Sequence, residues 1–403
     1  MGLNEIPSAN RTQIGFFGKR NSGKSSLVNV VTGQNLAVVS DVAGTTTDPV
    51  VKTMELLPIG PVVVIDTPGI DDIGTLGQMR VEKTYQIMDR TDIAVVVLSA
   101  NRTPDKSEME LLSMLDKKNI PVVLAVNKCD VSGQEAVTEW EKFEPGRKRV
   151  FVSAKEGKNI RELKEEIGKL AGQGKQEKPL AADLVKAGDF VVLVTPIDSA
   201  APKGRLILPQ QQVIRDLLEG GAAAVVLRET ELEGALQEMG KKPRLVITDS
   251  QAFAFVNQVV PSDIPLTSFS ILFARYKGTL DDAVNGARML DALEDGDKVL
   301  ISEGCTHHRQ CDDIGTVKLP AWLKKYTGKK LELTWTSGNE FPDDLRPYRL
   351  VIHCGGCMLN ERQMQARKDR AAQQETAMTN YGIAIAYMNG ILGRSLRPLG
   401  IRL

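Results

Sequence analysis

Short apolar runs recur through the first 170 or so positions, separated by longer stretches with helical spacing of apolar and polar residues. Thr12–Phe17, Val50–Leu57, Pro61–Ile65, Ile93–Leu98, Pro121–Val126 and Arg149–Val152 read as strands by length, β-branched content and flanking turn residues. Alternation of such strands with helices predicts a mostly parallel α/β sheet. The tight Pro58-Ile-Gly60 connection sets Val50–Leu57 antiparallel to Pro61–Ile65, as a hairpin at the sheet edge.

The pattern then breaks. Residues 172–182, GQGKQEKPLAA, are polar with Gly and Pro and read as a linker. A second α/β unit follows, with strands at Phe190–Thr195, Ala224–Leu227 and Arg244–Thr248 and helices at Gln210–Leu218 and Glu231–Met239. Pro261 and Pro265 mark another boundary. Beyond it the pattern predicts a helix at Leu280–Leu293, a strand at Lys298–Ser302 and a helix at Trp322–Lys325. Strands at Leu331–Trp335 and Arg349–Ile352 and a long helix over Asn360–Thr379 complete it. The expected division is 1–172, 180–264 and 265–403: one larger α/β domain followed by two smaller ones.

Composition narrows the class. Apolar residues make up 42% and charged residues 25% of 403 residues, the balance of a folded globular chain. Lys+Arg and Asp+Glu are both 51, so no global field draws the protein to nucleic acid or an anionic membrane. The longest apolar runs, such as Ile93-Ala-Val-Val-Val-Leu98, fall far below the ~18 residues of a membrane span. The opening MGLNEIPSANRTQ has no charged-then-apolar leader pattern and no acylation motif after Gly2. The expectation is a cytoplasmic protein without membrane or nucleic-acid partners.

The strongest chemical motif is Gly18-Lys-Arg-Asn21-Ser22-Gly23-Lys24-Ser25, a G-x-x-x-x-G-K-S sequence between a predicted strand and a helix that opens at Ser26. Its glycines let backbone N–H groups wrap phosphates, Lys24 offers a charge to the β/γ oxygens and the Ser25 hydroxyl binds Mg²⁺. Asp66-Thr-Pro-Gly69 follows another strand, so Asp66 can reach Mg²⁺ through water and the Gly69 N–H can sense a γ-phosphate. Asn127-Lys128-Cys-Asp130 again follows a strand, and a carboxylate at Asp130 matches the N1–H and 2-amino donors of guanine. Ser153-Ala154-Lys155 brings a backbone N–H to the guanine oxygen. These elements select GTP over ATP. Cys129 fills the variable position of its motif and reads as a packed thiol.

On these motifs, residues 12 to about 170 resemble the Era-type and tRNA-modifying TrmE-type branch of P-loop GTPases, with a Ras-like fold. By that resemblance Ala43-Gly-Thr45-Thr46-Thr-Asp48 is the first switch and Thr46 binds Mg²⁺. Asn21 matches the asparagine that holds K⁺ in potassium-activated members. Ile70 stands where Ras-like proteins carry a water-positioning glutamine, so hydrolysis needs another source of charge, which K⁺ supplies. The catalytic set expected is Asn21, Lys24, Thr46 and Gly69.

A second constellation lies in the last quarter. Cys305-Thr-His307-His308 is followed, with 45 residues between His307 and His353, by His353-Cys354-Gly-Gly-Cys357. Each group follows a predicted strand, so parallel neighbours would deliver both to one carboxyl edge. Residue types and spacing leave three readings open: structural zinc on Cys305, Cys354, Cys357 and one histidine, an iron–sulfur cluster, or a redox pair at Cys354/Cys357.

A GTPase of this branch followed by this cysteine–histidine pattern resembles the maturation GTPases of [FeFe]-hydrogenase along the whole chain. The resemblance implies a [4Fe–4S] cluster on Cys305, Cys354 and Cys357, with a middle domain that makes a homodimer. It further implies a di-iron precursor received from radical-SAM maturation enzymes and delivered to apo-[FeFe]-hydrogenase. The fourth ligand stays open: His307 first, then His353, with His308, Cys311 and Asp312 in reach by sequence. The alternative is a tRNA-modification or ribosome-assembly GTPase stapled by zinc.

Overall fold

The computed structural model describes residues 11–33, 50–57, 59–70, 83–131, 134–172, 178–197, 206–304 and 313–403. The chain divides into two compact units, Met1–Gln176 and Glu177–Leu403.

The first unit is built on a six-stranded sheet of order β2-β3-β1-β4-β5-β6. Its strands are β1 (Thr12–Phe17), β2 (Val50–Leu56), β3 (Gly60–Asp66), β4 (Ile93–Ser99), β5 (Val122–Asn127) and β6 (Arg149–Phe151). All neighbours are parallel except β2 and β3, the edge hairpin. Alternation along the strands feeds two cores. Val62, Val64, Val95 and Val97 face the helices Lys24–Thr32 and Ile160–Gly172, while Val63, Ile65, Val96 and Leu98 face Leu111, Leu112, Leu115 and Trp140. A sheet covered on both faces keeps its strands almost wholly apolar. Polar chemistry is therefore confined to the strand ends. Register aligns those ends: Phe16 pairs with Asp66, Ser99 with Asn127, and Val126 with Phe151.

The second unit holds two four-stranded parallel sheets. The first has order β10-β9-β7-β8, from β7 (Phe190–Val194), β8 (Ala223–Leu227), β9 (Leu245–Thr248) and β10 (Leu266–Ser268). The second has order β12-β11-β13-β14, from β11 (Lys298–Ser302), β12 (Glu332–Thr336), β13 (Leu350–His353) and β14 (Ala377–Asn380). Two differences from the sequence reading have physical causes. The boundary expected at 264/265 falls just before β10, which pairs with β9, and the helix Phe269–Tyr276 then packs on the same sheet through Phe269, Leu272 and Phe273. The long helix expected to reach Thr379 stops at Gln373; Ala377–Asn380 instead runs beside β13.

The two sheets share a core. Ile383, Ala386 and Leu396, from beyond β14, pack with Val192, Val194, Val246 and Leu266 of the β10-β9-β7-β8 sheet. The helix Tyr381–Met388 also sends Tyr381 and Ala384 into the core beneath β11 and β13. A helix apolar on all sides is a buried helix, and this one serves both layers. Among the described residues, no helix is long and apolar enough to cross a membrane.

Candidate functional sites

At the carboxyl edge of the first sheet the loop Gly18–Gly23 leads into the helix Lys24–Thr32. Lys24 is buried, its Nζ donating to the carbonyls of Gly18 (3.0 Å) and Lys19 (2.7 Å). Ser25 Oγ donates to Asp66 Oδ2 at 2.5 Å. Asp66 is fully buried, and its Oδ1 has no hydrogen-bond partner. Burial holds this carboxyl above the ordinary range, against the pull of Ser25, Lys24 and Lys52. An unpartnered carboxylate oxygen beside a serine hydroxyl at a P-loop suits a hard divalent cation such as Mg²⁺, so the donor set fits.

The Asn127–Asp130 and Ser153–Lys155 segments are joined to the P-loop by hydrogen bonds. Asn127 Nδ2 donates to Ser22 O at 3.1 Å, and Asn127 Oδ1 accepts from Ala154 N at 3.0 Å. Lys128 Nζ donates to Asn21 O at 2.6 Å. One buried asparagine thus ties the phosphate loop to the Ser153-Ala154-Lys155 turn. Asp130 is held below the usual carboxylate range by a hydrogen bond with Ser153 and by Lys155 and Lys128. Gly23 sits at φ 87°, and a Cβ there would lie 2.3 Å from Asn127 Nδ2, so both backbone and contact demand glycine. Ile70 closes the Asp66–Gly69 turn with its N–H on Gly18 O at 3.4 Å. Cys129 is half-buried, and burial raises its thiol, as suits a packed residue. Thr45 and Thr46 lie outside the described residues.

The third sheet carries the second site. β11 and β13 are parallel neighbours, with Ser302 opposite His353, so the chain leaves both at one edge. Gly304, the last residue described before 305–312, donates its N–H to Cys354 Sγ at 3.0 Å, and Gly356 N donates to the same sulfur at 3.3 Å. Burial raises the Cys354 and Cys357 thiols, while these N–H groups and Lys277 work the other way. Backbone N–H groups on a cysteine sulfur are the usual surroundings of a metal-bound thiolate, so the pair fits a thiolate-held centre. Cys305, His307, His308, Cys311 and Asp312 lie outside the described residues. Among the described residues, no three His, Cys, Asp or Glu side chains converge as a metal site.

His353 sits inside the hydrogen-bond network of the cysteine turn. It is fully buried, and both ring nitrogens are engaged: Nδ1 with Cys354 O at 2.7 Å and Nε2 with Arg367 Nη1 at 2.7 Å. A guanidinium only donates, so Nε2 accepts and Nδ1 carries the proton. Burial, with Arg367 adding to it, pushes the imidazole down to about 3. Both ring nitrogens are thus engaged by protein groups, Nδ1–H on the Cys354 carbonyl and Nε2 on Arg367.

Sequence reasoning missed two residues here. Arg367, on the helix Glu361–Gln373, fixes the His353 ring and also bonds Gly338 O at 2.7 Å. Lys277, buried behind the cysteine turn, carries an ammonium brought down to about 8 by burial. The available signal was a lysine directly after the apolar helix FSILFARY.

Comparison with known proteins completes the assignment. Residues 13–128 match a 50S ribosome-binding GTPase family model, 180–278 the hydrogen maturase F dimerization domain, and 281–398 the hydrogen maturase F tetramerization domain. The tRNA modification GTPase MnmE of Acetivibrio thermocellus is 35% identical over 160 residues, covering 40% of this chain and 34% of that protein. GTPase Der of Wolinella succinogenes is 34% identical over 177 residues, covering 42% and 37%. The chain thus spans about a third of the length of these curated relatives, and 160 to 177 aligned residues correspond in size to a GTPase domain. A solved structure of a variant of Era from Aquifex aeolicus bound to GDP·AlF4⁻ is similar at 20% identity and a TM-score of 0.37, covering 57% of this chain and 98% of that one. The phosphate loop belongs to a GTP-hydrolysing domain, and the two following models place the chain in the hydrogen maturase F family, as a Ras-like P-loop GTPase with additional oligomerisation domains of α/β type.

Proposed function

We propose that this chain is a GTP-hydrolysing scaffold and carrier for hydrogenase maturation. In this reading Cys305, Cys354 and Cys357 hold a [4Fe–4S] cluster, with His307 as its weak non-cysteine ligand. The cargo is a di-iron precursor, received from radical-SAM maturation enzymes and passed to apo-[FeFe]-hydrogenase. Three-thiolate ligation supplies one iron whose fourth ligand exchanges. The protein's own part is to aim the sulfurs: β11 and β13 bring both segments to one edge, Gly304 and Gly356 donate to Cys354 Sγ, and His353, fixed by Arg367, holds the Cys354 carbonyl. That N–H-cradled cysteine turn, in a chain carrying both hydrogen maturase F domains, is the observation that supports the reading most.

In the same reading the nucleotide domain is stimulated by K⁺ held at Asn21, whose positive φ of 58° shapes the loop around the phosphates. Three domains are proposed, with the second boundary near residue 279, between the two matched segments. The test is activation of apo-[FeFe]-hydrogenase by the loaded full-length protein. Cys354→Ser and Cys357→Ser should each abolish activation while GTP turnover stays at the wild-type level. Undiminished activation by either variant would refute the cluster's role.

A further inference from the structure

Lys277 follows the helix Phe269–Tyr276 of the middle layer and caps it with its N–H on Phe273 O at 2.9 Å. Its side chain leaves that layer and enters the cysteine turn of the next. There Nζ donates to Gly356 O and, at 3.1 Å, to Leu359 O. These two carbonyls bracket Cys357. Leu359 N returns to Gly356 O at 3.0 Å, so residues 356–359 form one tight turn with a buried ammonium across its mouth.

The link runs both ways. Gln365 Nε2, from the helix that follows the turn, donates to the Lys277 carbonyl. Gly356 holds φ 61°, and a Cβ there would lie 2.6 Å from Met364 Sδ. The turn is therefore pressed between its own following helix and the ammonium. Lys277 and Cys354 also line the same cleft, together with His353, Met364 and Lys368. Burying an ammonium is costly unless its donors are satisfied, and here the satisfying groups are the backbone of the cysteine turn. Surface attachment would have needed no such residue.

We propose that Lys277 is a positioning residue: it sets the conformation of the Gly356–Leu359 turn that presents Cys357, and it couples that turn to the segment matching the dimerization domain. The link to metal rests on the reading of Cys354 and Cys357 as cluster ligands; the positioning itself does not.

The experiment uses full-length protein with Lys277→Met, which keeps length and removes the donors, and Lys277→Gln, a milder change should the first fail to fold. Amide hydrogen exchange of metal-free protein is followed in peptides covering 354–364. Iron content and electron-spin spectra are then measured after anaerobic reconstitution with iron and sulfide. Lys277→Met should speed exchange in those peptides tenfold or more, lower iron retention and broaden the cluster spectrum, with GTP turnover unchanged. Lys277→Gln should fall between wild type and Lys277→Met. Wild-type exchange in a folded variant would overturn the proposal, whatever its spectrum. A wild-type protein that takes up no iron would defeat the metal reading alone, because the exchange result decides positioning independently.

Discussion

Replacing Gly23 by alanine tests whether the phosphate loop and the guanine elements form one unit. Two costs arise. Alanine at φ 87° pays roughly 1–2 kcal/mol for left-handed backbone. Its Cβ would also sit 2.3 Å from Asn127 Nδ2, so that amide must leave Ser22 O and Ala154 N. Two buried hydrogen bonds at about 1 kcal/mol each bring the total to roughly 3–4 kcal/mol. The loop relieves this strain by leaving its phosphate-binding shape, so apparent GTP affinity falls with the fraction that stays competent, by about two to three orders of magnitude. Gly33→Ala is the control: φ is 67° and nothing lies within 4 Å of the added Cβ. It should cost stability, roughly 2–4 °C of melting temperature per kcal/mol, and leave affinity intact. Titration of a fluorescent GTP analogue, with a melting curve for each variant, reads both terms. Equal affinity losses in the two variants, or none in Gly23→Ala, would refute the coupling.

Asp130→Asn should shift preference from GTP toward xanthosine triphosphate, whose 2-oxo group suits an amide donor; competition assays showing unchanged GTP preference would contradict the role of Asp130. Exchanging K⁺ for Na⁺ should lower GTP turnover several-fold without weakening nucleotide binding, and a turnover rate indifferent to the cation would remove Asn21 from the mechanism. Light scattering should show an oligomer that is weakened by Val226→Glu, since β8 leaves Val226 exposed at a sheet edge; a full-length monomer at micromolar concentration would refute this. Arg367→Met should free the His353 ring and alter the cluster's electron-spin spectrum more than its iron content; an unchanged spectrum would separate Arg367 from the site.

The nucleotide site was legible because each of its motifs directly follows a strand that the apolar pattern marks. Phe17, Asp66 and Asn127 needed no tertiary information to be placed at strand ends. The second sheet's last strand was not legible: Leu266–Ser268 has three residues, and the prolines at 261 and 265 read as a boundary. Ala377–Asn380 was absorbed into the preceding helix because Ala and Met favour helices, whereas pairing with β13 decides its state. The hydrogen bond between His353 and Arg367 was not legible, because Arg367 stands 14 residues on and faces the ring only after folding. Lys277 was invisible for the same reason, its acceptors lying 79 and 82 residues away. Spacing shows which residues can ligate; the hydrogen bonds show which of them protein groups already engage.

Metal analysis of full-length protein purified without oxygen tests the central claim most directly. Iron, acid-labile sulfide and zinc are counted per chain in the wild type and in Cys305→Ser, Cys354→Ser and Cys357→Ser. The account predicts about four iron and four sulfide in the reconstituted wild type, loss of both in each variant, and GTP turnover that persists throughout. Stoichiometric zinc without iron, retained at high affinity, would contradict it.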